Sequence, residues 1–487
     1  MGVKMYLGID LGTSGVKAVL VDGAGQVVDH ETEPLEVARP HPLWSEQDPR
    51  DWWEATNAAV GRLRGRTSLR GVLAVGLSGQ MHGATLLDAG QRPLRPAILW
   101  NDGRSFAACA QLERRVPESR AITGNLAMPG FTAPKLLWVR EHEPEIFERV
   151  ASVLLPKDYL RLLMTGELAS DLSDSSGTLW LDVGQRAWSG EMLDACHLST
   201  NVMPSLFEGT EVTGRLRPEV AEGWGMERVS VAAGAGDQAA GAAGAGVIRP
   251  GEASLSLGTS GVYFVAGDRF QPNPERAVHA FCHCLPNTWH QMSVILSAAS
   301  CVSWVTKLTG ADDEAALLAE VEASGSRPDR VLFLPYLSGE RTPHNDPDAT
   351  GVLVGLTHDT GRAEIGRAVL EGVAFAFADG QQALEEAGTQ IGEVSVIGGG
   401  ARSVLWGRIL ASVLQRPLTY RAGGQVGPAQ GAARLARLCV TGETPDDVCT
   451  PPPVESVIEP DQSLTDHYAE RLIAYRQLYA NLKGGIR

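Results

Sequence analysis

Short apolar runs separated by glycine turns open the chain. Met5–Leu11, Val16–Asp22 and Gln26–Val37 are divided by the tight turns GTSG and DGAG, which predicts three strands joined by hairpins. The period then changes. DPRDWWEATNAAVGRLRG starts with Asp48 as an N-cap and Pro49 in the first turn, carries its aromatic residues on one face, and predicts a helix. Leu73–Leu77 returns to strand and runs into the glycine-flanked turn SGQMHG. A similar order recurs later. Leu257–Ala266 and the stretch around Trp289–Val294 predict strands, and Ile295–Leu308 predicts a helix. Arg362–Glu386 predicts a longer one, with Ile365, Val369, Val373, Phe377 and Leu384 at helical spacing. VSVIGGGARS reads as a strand entering a glycine-rich turn, followed by helices at Val404–Leu414 and Pro428–Leu438. PDDVCTPPPVESVIEP predicts an extended connection, and Leu464–Lys483 a terminal helix. Two α/β halves and a short tail follow from this alternation.

The two halves share more than a pattern. LGTSGV stands at Leu11–Val16 and again at Leu257–Val262, each copy between apolar stretches. Between the halves lies VAAGAGDQAAGAAGAGVIRPG, rich in Gly and Ala, whose single acid is Asp237. That composition suits either a close-packed helix or a flexible linker, and the lack of Ser, and of Pro or any charge besides Asp237 before Arg249, weighs against the linker.

Length and charge narrow the function classes. At 487 residues the chain is too long for one core, so two domains are expected. The net charge of −16 disfavours nucleic acid, which needs a basic face. Seven cysteines include no CxxC pair, and Cys282 and Cys284 around His283 read as strand positions more than as metal ligands. The start has no apolar leader, and the longest uncharged run holds Pro286, Asn287 and three histidines, so neither secretion nor a membrane span is expected. A cytoplasmic protein with reduced thiols is the resulting expectation.

A strand that ends in an acid, a Gly-Thr-Ser-Gly turn and a second strand point backbone amides and hydroxyls at one spot. Such a concave set of donors suits phosphate oxygens. Asp10, just before the first turn, is placed to hold Mg²⁺, which takes one or two carboxylates together with nucleotide phosphates. Ser256 holds the corresponding place in the second copy, so only the first hairpin carries the acid. No Gly-Lys dipeptide occurs, which removes a Walker A loop, and IGGGARS lacks dinucleotide-fingerprint spacing.

GIDLGTSGVKAVLVD, LSLGTSGVYFV and VIGGGARS resemble, in order, the two phosphate motifs and the adenosine motif of the actin-like ATPase superfamily. Within it, SGQMHGATLLD, LRPAILWNDGR, MPGFTAPKLLWVREHEPEIF, VLLPKDYLRLLMTGE, LPYLSGERTPHNDP and GPAQGAARLA resemble the FGGY carbohydrate kinases, most closely those that phosphorylate D-xylulose. The resemblance implies two actin-like (ribonuclease H-like) α/β domains with a nucleotide and sugar cleft between them. Residues 1–247 would form the sugar-binding domain with the first phosphate motif, 248–445 the nucleotide-binding domain, and 446–487 a C-terminal extension. It implies Asp237 as the base that deprotonates the sugar hydroxyl, with Met81, His82 and Gln238 beside the sugar. Thr13, Ser14, Lys17, Gly258, Thr259, Gly399 and Gly400 would face ATP, and Asp10 would hold Mg²⁺. A homodimer is also implied. One departure stands out: Gln238 occupies a position where xylulose-directed members often carry Asn and glycerol-directed members also carry Gln. SGQMHG points back to the former, since the latter carry an Arg-Glu pair in that loop. Kinases for ribulose or glycerol, and an actin-like ATPase without a sugar, are the alternatives.

Overall fold

The computed structural model describes residues 4–325, 330–422 and 427–484. The hairpin sequences form the centre of the first sheet. Met5–Leu11 pairs antiparallel with Gly15–Asp22, which pairs antiparallel with Val27–Pro34. Val72–Gly79 lies parallel on the other side of the first strand, and Ser230–Ala232 and Val212–Arg215 complete the sheet outward, while Ala235–Gly236 adds to the end of Val72–Gly79. The helix Pro49–Arg66 covers one face, capped by the Asp48 side chain, which accepts from the Arg50 N–H at 2.9 Å. Its buried Trp52, Ala59, Val60 and Leu63 meet Leu7, Ile9 and Leu77 of the sheet.

The second sheet repeats the motif. Its strand order is His279–Cys282, Trp289–Ile295, Gly261–Gly267, Ala253–Leu257, Val394–Ile397, Leu418–Arg421 and Val454–Ile458. The long helix Arg362–Glu386 packs on it. Three elements differ from the sequence reading. The second LGTSGV is a hairpin turn as its repeat suggests, but the strands it joins are Ala253–Leu257 and Gly261–Gly267, so the strand predicted over Leu257–Ala266 begins only after the turn. The helix predicted from Ile295 begins at Ala299, because Ile295 still pairs with Gly261. The expected extended connection near the C-terminus holds a one-turn helix, Pro445–Val448, and the edge strand Val454–Ile458, which pairs with Leu418–Arg421. A third core, absent from the sequence reading, forms around Leu112, Phe131, Leu136 and Trp180 in the long insertion before residue 235.

The Gly/Ala-rich stretch resolves in favour of the close-packed helix, Asp237–Ala245. The helix Pro428–Thr441 lies against it, and the same helix covers the face of the first sheet opposite Pro49–Arg66. The approach is close enough to require glycine at three places. A Cβ on Gly431 would stand 1.8 Å from the Ala240 carbonyl oxygen. On Gly8 it would stand 1.8 Å from the Ala429 oxygen, and on Gly76 1.9 Å from that of Ala432. No helix among the described residues is long and apolar enough to cross a membrane.

Candidate active site

Three neighbouring strands deliver the central acids. Asp10 near the end of Met5–Leu11 sits opposite Ser78, and Ser78 is also opposite Ala235, two residues before Asp237. Asp10 and Asp237 therefore emerge together at the carboxyl ends of parallel strands, where ligands bind in open α/β sheets. The Ser78 hydroxyl donates to Asp10 at 3.0 Å. Burial pushes the Asp10 carboxyl up to about 6 against the opposing effects of Ser78 and Lys17, its partner across the hairpin. Asp237 opens its helix and is pushed up to about 7 by burial and then by the charge of Asp10, with the Gln238 backbone and side chain working the other way. Two acids whose charges oppose each other in a half-buried cleft are chemically suited to a divalent cation that brings most of its ligands with it.

The two GTSG hairpins are built differently. In the first, the Gly12 N–H closes the turn on the Gly15 carbonyl at 3.0 Å. Thr13 is braced there: its hydroxyl donates to Gln80 Oε1 at 3.0 Å and accepts the Trp100 indole N–H at 2.9 Å, while the Gln47 amide donates to its carbonyl at 2.8 Å. Ser14 is exposed and Lys17 half-buried. In the second, the carbonyls of Gly258 and Thr259 accept the backbone N–H groups of Ala299 and Ala298 at 2.8 and 2.9 Å, which ties the turn to the start of the helix Ala299–Thr309. Gly399 and Gly400 follow the strand Val394–Ile397. Gly400 has no room for a Cβ, which would lie 2.8 Å from both Leu257 and Trp406, whereas Gly399 faces open space. That space is a cavity of about 570 Å³ walled by Val302, Leu318, Ser403 and Trp406. An apolar wall with glycine backbone on one side suits a flat heterocycle.

Met81 and His82 lie on the other side of Asp237. Met81 is buried, and a Cβ on Gly236 would touch its thioether at 2.9 Å. His82 has a φ of +69°, uncommon for a residue with a side chain. Its ring Nδ1 is 2.6 Å from the Gly177 carbonyl, which only accepts, so the proton sits on Nδ1 and the Nε2 lone pair is left as an acceptor. Burial pushes His82 down to about 3, opposed by the Gly177 carbonyl and reinforced by Lys135 and Arg341, so the ring is neutral. The strained backbone is held by Thr132 and Lys135, which donate to the His82 carbonyl at 3.1 and 2.8 Å.

Behind the acids lies a buried ionic cluster that sequence reasoning missed. Lys157 Nζ is 2.6 Å from Asp158, 2.7 Å from Asp171 and 3.1 Å from Asp174, and all four side chains are fully enclosed. Burial opposes the Lys157 charge, yet the three aspartates together hold its ammonium above the usual value, and burial raises Asp174. Asp171 accepts from the Ser173 hydroxyl, which in turn accepts the Gly236 N–H at 3.1 Å. The cluster thus fixes the residue before Asp237. Its only sequence signal is the charged pair inside the apolar run VLLPKDYLRLLM.

Comparison with known proteins separates the possible families. The model of the FGGY family of carbohydrate kinases, N-terminal domain, matches residues 5–244, and that of the C-terminal domain matches 253–438. The chain belongs to this family. It is 57% identical to the xylulose kinase of Escherichia coli K12 over 98% of this chain and 99% of that one, and 55% identical to that of Klebsiella pneumoniae over 98% and 99%. The crystal structure of a "xyloylose kinase" from Brucella ovis superposes with a TM-score of 0.95 at 52% identity, covering 98% of this chain and 99% of that one. The family fold is the actin-like one, so the two sheets with their paired hairpins are its halves.

Proposed function

We propose that this protein transfers the γ-phosphoryl group of ATP to the terminal hydroxyl of D-xylulose, giving D-xylulose 5-phosphate and ADP. The observation that carries the reaction type is the meeting of Asp237 and Asp10 at the ends of two strands that flank Val72–Gly79, close enough for the Asp10 charge to act on Asp237. The sugar is assigned from the full-length relatives, which are xylulose kinases. Asp237 takes the proton from the attacking hydroxyl. A carboxyl near 7 is well matched to that task at neutral pH. His82 accepts a sugar hydroxyl through Nε2, Met81 lies against the carbon skeleton, and Gln238 steadies Asp237. Ser14, Lys17, Thr259 and the backbone of Gly258 serve the phosphates, and the Thr13 hydroxyl holds the first hairpin in shape. Gly399 and Gly400 border the adenine site. Asp10 would hold Mg²⁺ together with the phosphates of ATP, and the ion would supply charge neutralisation at the transferring group. Residues 1–247 act as the sugar half and 248–445 as the nucleotide half, with 446–487 as an extension, in a cytoplasmic homodimer.

The sugar assignment is tested by ADP release across ketopentoses, polyols and hexoses at fixed ATP. D-Xylulose is expected to give the highest kcat/KM. Equal or greater turnover of ribulose or glycerol would replace it, and absence of sugar-stimulated ADP release would favour an ATPase without a sugar. A second expectation concerns pH. Asp237 acts only when ionised, so kcat/KM for the sugar should rise with pH as its carboxyl titrates; burial holds that carboxyl above its ordinary value, and Mg²⁺ at Asp10 would offset the repulsion that helps raise it to about 7 in the unliganded chain. A profile flat down to pH 5 would remove Asp237 from the base role.

A further inference from the structure

The segment Gly339–Pro343 belongs to the second half but reaches the sugar end of the cleft. Its backbone is pinned on both sides of Arg341. Thr342 donates its N–H to the Val294 carbonyl at 3.0 Å and its hydroxyl to the Ala277 carbonyl at 2.9 Å. Glu340 Oε1 accepts the N–H groups of Leu296 and Arg341 at 3.1 and 2.8 Å. From this anchored backbone the guanidinium runs to His279, with Nη1 3.4 Å from Nε2.

The direction of that contact is fixed by a relay of donors. Asn125 Nδ2 donates to the carbonyls of Thr123 and Ala280 at 2.7 and 3.0 Å, so its Oδ1 is the acceptor 3.0 Å from His279 Nδ1. His279 thus carries its proton on Nδ1 and presents the Nε2 lone pair to Arg341. One of five guanidinium N–H groups is thereby used. Among the described residues Arg341 makes no ion pair, and its Nε and Nη2 have no protein partner although they are not sealed from solvent. Glu340 offsets part of the cost of desolvating this cation, but its side chain makes no hydrogen bond or ion pair with the guanidinium, so the idle donors mark a place for an acceptor from outside the chain. That place adjoins the sugar pocket. The Phe131 ring packs edge-on against His82 on one side, at 4.7 Å between centroids, and His279 on the other, at 5.6 Å. The charge of Arg341 is felt at His82, whereas Asp237 feels Asp10 and Gln238.

The geometry points to Arg341 as a sugar-positioning residue, whose free guanidinium N–H groups donate to oxygen atoms of the ketose at the end away from the hydroxyl that Asp237 deprotonates. This rests on the sugar-kinase reading above. A sugar held by His82 from one half and Arg341 from the other bridges the cleft, so its binding favours the closed arrangement.

The test is steady-state kinetics of Arg341→Met and Arg341→Lys, with D-xylulose and ATP varied separately and the melting temperature of each variant recorded. Met should raise the sugar KM by about 10- to 100-fold, with the ATP KM within about twofold of wild type. Lys keeps the charge without the planar fork and should fall between wild type and Met. If the Met variant does not fold, the Lys variant decides alone. Wild-type activity with an unaltered sugar KM in the variants, or equal rises for sugar and ATP, overturns the role of Arg341. Wild-type inactivity on every ketose overturns the activity reading and this inference with it.

Discussion

Replacing Asp237 with asparagine is expected to lower kcat for sugar phosphorylation by about 10²- to 10⁴-fold while ATP still binds. The amide matches the carboxylate in shape but cannot take the proton of the attacking hydroxyl. The same variant should be more stable than wild type without ligands at pH 8. The Asp237 carboxyl lies near 7 in the folded chain against 3.8 for an unperturbed one, so the folded state holds its proton more tightly. Stability contributed by that proton is fully present below about 4 and is lost as pH rises through 7. A shift of this size, discounted for partial exposure, corresponds to roughly 1–3 kcal/mol. Calorimetry at pH 5 and pH 8 would show the gap between variant and wild type widening at the higher pH. Near-normal turnover in the variant would dismiss the base assignment, and a lower melting temperature at pH 8 would dismiss the strained acid pair.

Gly431→Ala should show how tightly the cleft is framed. The added methyl would stand 1.8 Å from the Ala240 carbonyl oxygen, so the helices Pro428–Thr441 and Asp237–Ala245 must separate. The first of them has nowhere to retreat, because Gly8 and Gly76 of the sheet already touch its far side at Ala429 and Ala432. Overpacking a contact locked on two sides is expected to cost about 2–4 kcal/mol, a large share of the roughly 5–15 kcal/mol typical of folded domains. Asp237 heads the displaced helix, so kcat should fall along with the urea midpoint. Gly61→Ala is the control. Its Cβ meets nothing within 4 Å in the exposed part of Pro49–Arg66, and it should stabilise by up to about 1 kcal/mol. Equal midpoints for the two variants would refute the close-approach argument.

The parts of this molecule that are legible in its sequence are those written locally. The two GTSG hairpins, the Asp48-capped helix and the long helix Arg362–Glu386 each carry their own turn, cap or period. The acid at Asp10 and the small-residue setting of Asp237 are legible for the same reason. Long-range pairings are not. Nothing near Thr13 announces that Gln80 and Trp100 will hold its hydroxyl, because those partners are 67 and 87 residues away. Lys157 looks like a break in an apolar run until three aspartates close around it. Arg341 reads as part of a loop until its backbone is pinned beside His279. The edge strand Val454–Ile458 was hidden by mostly exposed side chains, which leave no alternating pattern.

The helix Pro428–Thr441 has a consequence for how the protein is made. The strands carrying Gly8 and Gly76 leave the ribosome early, and the helix that fills the groove over them follows after most of the chain. Until then the nascent sheet presents Tyr6, Val19, Val21 and Ala74 uncovered. Contacts this distant in sequence form slowly and leave apolar surface open to neighbouring chains meanwhile. The N-terminal half of this kinase is therefore an incomplete folding unit during synthesis, sealed only by a helix that emerges after more than four-fifths of the chain.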